Sequence, residues 1–268
     1  MKSAQASKEL TGSVPKDVPI YHLNPTKRNF HIVLTLRNVP GALAGVSSII
    51  TSSNTNILSG QISVLDGHAH WSFFAEAEKG GTNAATLRSL LVASEYTEEV
   101  AVSEDADGLL VDNVCFPLRW NQGDRAVVIR QRALAEMFTQ MRKEFGSGGS
   151  VLLYNEGYNM GRGSFELVLE RAGKPFIREH LRECMGILAS VGWGKFSLVS
   201  YDKEGPRLVV RVEDSFECTG FDSDRPYSQF LRGHMCSVLS LLLDAKLKCE
   251  ETSCVATGSK YCEFRLAP

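Results

Sequence analysis

His31-Ile-Val-Leu-Thr-Leu36 is a short run rich in β-branched and apolar residues, and it stops against Asn38-Val-Pro-Gly41. The run favours a strand, and the stop is turn chemistry in which Pro40 suits a first helical turn. Leu43, Val46, Ile49 and Ile50 then recur at helical spacing. Further along, Asn56 to Leu65 reads as a strand, Asp66-Gly67 as a two-residue hairpin turn, and His70-Trp-Ser-Phe-Phe-Ala75 as the returning strand. A helix from about Thr82 to Ser94 carries Leu87, Leu90 and Leu91 on one face, and Glu99-Val-Ala-Val102 is a last strand. Residues 30–103 therefore spell β-α-β-β-α-β, the order of a ferredoxin-like sandwich.

Outward from that block, residues 1–29 are polar and without periodicity and read as an arm. Glu104 to Gly108 is acidic, ends in glycine and reads as a linker. The predicted fold class is α+β, with an arm at 1–29, a ferredoxin-like regulatory or dimerisation domain at 30–108 and a mixed α/β domain at 109–268. In the second domain, Leu134, Met137, Phe138, Met141 and Phe145 define an amphipathic helix, and Gly146-Ser-Gly-Gly-Ser150 stops it. That glycine run lacks the lysine of a phosphate loop. A helix with Gly157 and Gly161 follows; these glycines admit either a ligand or, as the better reading, a closely packed neighbour. Ile177, Leu181, Cys184, Met185 and Leu188 mark the next helix, ended by Gly192 and Gly194. Phe196 to Tyr201 and Leu208 to Val212 form a hairpin about Asp202-Lys-Glu-Gly-Pro206, and a helix through Phe230, Leu231, Val238, Leu239 and Leu242 leads to the end.

Lysine plus arginine number 29 against 31 aspartate plus glutamate, a net charge of −2, so the basic excess that binds a phosphate backbone is missing and nucleic acid is not the default partner. With 43% hydrophobic and 22% charged residues the chain has the composition of a folded globular protein. No apolar run approaches the roughly 20 residues that span a bilayer, and the polar start offers no secretory signal, which predicts a cytoplasmic protein without a membrane span. The seven cysteines are an odd count, which argues for burial, metal or catalysis over a disulfide framework. Five of them lie between Cys218 and Cys262.

Arg37-Asn-Val-Pro-Gly-Ala-Leu-Ala44, in its β-α-β-β-α-β setting, resembles the ACT family of small regulatory domains over about residues 29–103. The resemblance implies a turn at Asn38, Gly41 and Leu43 that could hold an amino acid, or a sheet that pairs with a second copy to make a homodimer. The acidic residue usual in that turn is Asn38 here, which favours the homodimer. Glu251-Thr-Ser-Cys254-Val-Ala-Thr-Gly258-Ser-Lys-Tyr-Cys262-Glu-Phe264 is similar to the closing signature of the vinyl-4-reductase (4-vinyl reductase) domain family, and the likeness extends over roughly residues 112–268. It implies a pocket for a small hydrophobic molecule, and in related sensor domains a structural zinc on this Glu, Cys, Cys trio plus a cysteine of the preceding helix. That helix position is Ser228 here. The donors themselves suit zinc, two soft thiolates and a carboxylate brought back together by a turn at Gly258. The metal set is then Glu251, Cys254 and Cys262 with Cys218, which ends a neighbouring strand-like run, as fourth ligand; another residue, water, or reduced cysteines in a plain core are the alternatives.

The function expected from these readings is a non-enzymatic, ligand-sensing regulator with a structural zinc cofactor, binding a small hydrophobic molecule and, through the ACT-like turn, an amino acid. An accessory protein or enzyme of tetrapyrrole metabolism and a tethering or assembly subunit are the competing readings. No Gly-x-Ser-x-Gly elbow or Rossmann fingerprint supports catalysis. His68 and His70 share a strand face without a third ligand and read as surface or interface residues, and His234 is a reserve metal ligand. Met137, Phe138, Met141, Met160, Met185 and Trp193 suit either a greasy pocket or an ordinary core.

Overall fold

The computed structural model describes residues 13–105, 108–120, 123–172 (backbone alone from 166), 181–202 and 204–268. Residues 1–12 of the arm and Ile177 lie outside them. The chain forms two compact units, Met1–Val127 and Val128–Pro268.

In the first unit, β1 (Tyr21–Leu23) and β6 (Leu109–Val111) form a two-stranded antiparallel ribbon. Between them run β2 (Arg28–Arg37), α1 (Ala42–Ser52), β3 (Asn56–Leu65), β4 (His68–Ala77), α2 (Ala84–Val92) and β5 (Thr97–Asp105). The four strands of that series make one antiparallel sheet in the order β3-β4-β2-β5. Alternate residues of β2 (Phe30, Ile32, Leu34 and Leu36) are fully buried with Phe73, Val46, Ile50, Leu87 and Leu91. This is the period-2 strand meeting the 3.6-period helix at one core. Each such side chain contributes roughly 1.5–3 kcal/mol through burial.

Three expectations change. Of the linker expected at Glu104 to Gly108, the described residues are tied into the unit: β5 continues through Asp105 and the Gly108 carbonyl accepts the Asn24 amide at 3.0 Å. Gly108 sits at φ +93°, and a Cβ on it would stand 2.8 Å from Pro25 Cα. Residues 109–127, read from sequence with the second domain, fall in the first unit, and Tyr21–Leu23 of the arm is a strand. The reason is backbone pairing: a three-residue strand has nothing to recommend it in isolation, and each supplies the other's hydrogen bonds.

The second unit holds α3 (Gln131–Phe145), α4 (Ser147–Ala172), α5 (Leu181–Ser190), β7 (Lys195–Asp202), β8 (Arg207–Glu213), α6 (Gln229–Leu243), β9 (Lys248–Ser253) and β10 (Cys262–Ala267). Its antiparallel sheet has the order β7-β8-β10-β9. The helix stop after α3 is narrower than the sequence suggests: Gly146 alone, at φ +54°, breaks the chain, and Ser147 to Ser150 already belong to α4. α4 and α6 touch backbone to backbone. A Cβ on Gly157 would lie 2.0 Å from the Phe230 carbonyl oxygen, one on Gly161 2.7 Å from that of His234, and one on Gly233 2.0 Å from that of Tyr154. Gly157 and Gly161 thus serve close packing. This seam holds α6 at the centre of the unit, with Leu231, Val238, Leu239, Leu242 and Leu243 buried along it. The aromatic positions fill the same core: Phe138, Phe216, Phe230 and Trp193 pack on one another, while Met137 and Met160 are exposed.

Candidate metal centre

α6 begins beside the sheet, and the start of this helix is where the chain concentrates its buried polar atoms. Ser228 is the residue before its first turn; Cys218 comes from the tight turn that follows β8; Glu251 lies on β9; Cys254 and Cys262 bracket the link from β9 to β10. That link is a compact knuckle. The amide of Ser259 donates to Cys254 O at 3.2 Å, Gly258 takes the left-handed conformation at φ +90°, and the chain returns so that Val255 N reaches Cys262 Sγ at 3.3 Å. Glycine is favoured at Gly258 because a side chain there would be strained.

The fold brings Cys218, Glu251, Cys254 and Cys262 together: one donor atom from each lies within 4.8 Å of all the others, and all four residues are buried. Cys218 Sγ and Cys254 Sγ are 3.6 Å apart. This is far beyond a disulfide bond of about 2.05 Å and close to the spacing of about 3.8 Å between two thiolates on a tetrahedral ion with bonds of about 2.3 Å. Backbone amides point at the sulfurs, Tyr227 N at Cys254 Sγ (3.4 Å) as well as Val255 N at Cys262 Sγ. Such donors favour the charged thiolate that a metal needs.

Ser228 is the hub of the cluster. Its hydroxyl donates to Glu251 Oε1 at 2.7 Å and lies 2.9 Å from Cys218 Sγ and 3.5 Å from Cys262 Sγ, while its amide donates to Glu251 Oε2 at 3.0 Å. The proton affinities diverge accordingly. Cys254 falls far below the ordinary thiol range because it accepts hydrogen bonds from Cys218 and Cys262, and Cys218 rises because its thiol donates them. Burial, with the Cys254 charge second, pushes Glu251 up to about 8. A divalent cation would remove this proton competition, since thiolates and carboxylate could then share one positive centre. The donor set and spacing fit zinc.

Behind the cluster sits a second buried polar layer that sequence patterns do not disclose. Glu217, fully enclosed, accepts the amides of Phe230 (3.1 Å) and Leu231 (2.9 Å) at the first turn of α6 and pairs with Arg142 of α3. Arg142 also donates to the Tyr227 carbonyl at 2.7 Å and lies over the Tyr227 ring. Burial pushes the Glu217 carboxyl up against the opposing pull of Arg142 and the two amides. An anion at a helix N-terminus is favourable, and this one fixes the helix that carries Ser228. The only sequence signal was Glu217 standing next to a cysteine already singled out.

The other predicted positions are placed as follows. Asn38 and Gly41 are exposed in the turn from β2 to α1, where Gly41 has φ +92°, and Leu43 is exposed in the first turn of α1. His68 pairs with Glu98, and His70 approaches Thr35 Oγ1 at 3.4 Å. His234 is buried against Trp193, ring centres 4.6 Å apart, away from the four donors. Cys184 is core. Among the described residues, a groove of about 530 Å³ is walled by α4 (Val151, Tyr154), the start of α6 (Gln229, Arg232), Leu247 and the first residue of β9, Lys248.

Residues 208–268 match the 4-vinyl reductase domain. This 4-vinyl reductase segment contains α6, β9, β10 and all but the first residue of β8, and with them all four donors. No curated protein matches the chain. Among solved structures, the chain is similar to the phenol-responsive sensory domain of the transcription activator PoxR, at 20% identity over 54% of this chain and 77% of that one, with a TM-score of 0.48. It is similar to a vinyl-4-reductase family protein from Methanocaldococcus jannaschii at 15% identity, over 54% of this chain and 98% of that one, with a TM-score of 0.34. An ACT domain from the GTP pyrophosphokinase of Chlorobium tepidum is similar at 16% identity, over 29% of this chain and all of that domain, with a TM-score of 0.24. No helix of the described residues is long and apolar enough to cross a membrane.

Proposed function

We propose that the chain is a cytoplasmic, non-enzymatic regulator whose 4-vinyl reductase segment binds a small molecule and is held together by one structural zinc ion on Cys218, Glu251, Cys254 and Cys262. The observation that carries the reading is the convergence of these four buried donors inside the segment that matches that domain family. A closed set of four protein ligands leaves no position for a reacting water, so the ion's role is to fold the knuckle and anchor the start of α6. The groove beside α6 supplies the recess for a ligand. Its Val151, Tyr154 and Leu247 offer apolar surface.

The first unit takes the ACT-like role. Its strand order and its helix start at Gly41 support this, and the edge strand β3 exposes Leu58, Ile62 and Val64, which favours pairing with a second copy. Asn38, Gly41 and Leu43, exposed at the turn, would receive an amino acid if that unit also binds one.

The test is native mass spectrometry of gently purified protein with metal analysis of the same sample. One zinc that depends on Cys254 and Cys262, together with a retained or added small aromatic molecule, supports the reading. Zinc-free protein that takes up no aromatic compound from a panel removes it.

A further inference from the structure

We propose that the first unit carries a second metal site, formed by His31, Asp112 and Cys115, which takes a zinc-class divalent cation. The site is independent of the one in the 4-vinyl reductase segment and shares none of its residues.

His31 sits in the middle of β2, on the face of the sheet opposite Ile32, and is almost completely buried. Its ring stacks on Phe74, its register partner on β4, at 4.7 Å between centres. Asp112 follows β6 and is pinned where its amide donates to the Ile20 carbonyl at 2.9 Å. Its Oδ1 accepts the amides of Val114 (3.0 Å) and Cys115 (2.9 Å), a turn that carries Cys115 back over the carboxylate. One donor atom from each of the three residues then lies within 4.8 Å of the other two.

The alternative is that His31 and Asp112 are an ordinary buried pair. Their separation argues against it. His31 Nε2 is 3.7 Å from Asp112 Oδ1, too long for a hydrogen bond, and its contact at 3.0 Å is with Ser72 Oγ. The other ring nitrogen, Nδ1, is buried and has no hydrogen-bond partner. A nearly inaccessible imidazole is thus kept beside a carboxylate without bonding to it. On a tetrahedral ion with bonds of about 2.0–2.3 Å, neighbouring ligand atoms stand about 3.3–3.8 Å apart. The observed 3.7 Å lies in that interval. Imidazole, carboxylate and thiolate together form a borderline-soft set suited to zinc over magnesium or calcium. Three protein ligands leave a fourth position for water or a small anion, and Cys115 is exposed. Binding releases the Cys115 thiol proton to solvent and changes no oxidation state.

The experiment is metal stoichiometry on the full chain, read by elemental analysis and by cobalt substitution, whose charge-transfer intensity counts thiolates per ion. The variants are Cys115→Ala, Asp112→Asn, which keeps the turn but removes the charge, and Cys254→Ala. Wild type is expected to hold two ions, Cys115→Ala and Asp112→Asn one each, and Cys254→Ala one, with a single-thiolate cobalt spectrum. If the other site fails while this one stands, wild type holds one ion that Cys115→Ala abolishes. Wild-type stoichiometry that neither Cys115→Ala nor Asp112→Asn changes overturns the proposal.

Discussion

Gly157 faces Phe230 so closely that a Cβ on it would lie 2.0 Å from the Phe230 carbonyl oxygen. The atom it would meet is backbone, in a helix buried on most sides, so no side chain can swing away to make room. Overpacking of this kind costs about 1–3 kcal/mol or more. Gly157→Ala is expected to lower stability by about that amount in denaturant unfolding. Gly186→Ala, in α5 with open space around it, removes an exposed helical glycine and is expected to raise stability by about 0.5–1 kcal/mol. Equal effects from the two would show that the seam does not set the stability of the unit.

Ser228 Oγ lies 2.9 Å from Cys218 Sγ, so an ion held by Cys218 would stand within its reach. Cys218→Ala is expected to weaken zinc binding at least about tenfold, the scale of a lost ligand or its supporting partner, and adding Ser228→Cys to that variant is expected to restore it. Competition against a colorimetric chelator measures both. Restoration would show that the two positions share one coordination vertex, and its failure would assign the serine a purely hydrogen-bonding role.

Arg142 is the single cation paired with Glu217 among the described residues, and Glu217 is wholly buried. Removing one partner of a buried pair costs about 3–5 kcal/mol because the other charge is stranded. Arg142→Met is expected to fall in that range, and the double variant Arg142→Met with Glu217→Gln is expected to recover part of it. A single variant as stable as wild type would mean that Glu217 carries a proton in the native state.

His234 has its affinity for a proton lowered by burial, from an ordinary value of 6.5 to about 4. Between those two values the unfolded chain binds a proton that the folded chain refuses, so stability falls as pH drops from about 6.5 to 4. The shift corresponds to about 3 kcal/mol, lost in full below about pH 4. His31, also lowered by burial, acts in the same direction. His234→Phe is expected to flatten the stability profile over that interval by about 3 kcal/mol, measured by urea unfolding at several pH values. An unchanged slope would place the acid sensitivity elsewhere.

What could be read in the chain itself divides along contact distance. The strand and helix of residues 31–52 follow from local chemistry, because the alternation of Phe30, Ile32 and Leu34 and the spacing of Val46 and Ile50 are properties of neighbours. Glu251, Cys254 and Cys262 lie within one knuckle and were equally visible. Cys218 reads in sequence as the end of an adjacent strand-like run, whereas β8 stops at Glu213 and the turn after it carries the cysteine. Ser228 shows in the sequence only as a place where a cysteine is missing, since nothing in a serine announces that it will meet Cys218, Glu251 and Cys262 at once. Arg142 with Glu217, and His31 with Asp112 and Cys115, are separated by 75 residues or more across their widest span, and only the folded sheet and helix supply the approach. The ribbon of β1 with β6 escaped for the same reason, as two three-residue strands far apart in the chain carry no periodicity.

An ion on the four donors would close a ring in the chain. Cys218 precedes α6 and Glu251 follows it, so metal binding joins the ends of a loop that contains the whole helix. Arg225, Gln229, Arg232, Leu247, Lys248 and Cys249, which line the groove, all belong to that loop. Much of the wall of the recess is therefore inside the tether. A molecule resting there and an ion in the knuckle would each restrict the same stretch of chain, so each makes the other's ordering cost smaller, and by thermodynamic necessity the coupling is equal in both directions. The zinc supply available to the chain would then set its sensitivity to the small molecule.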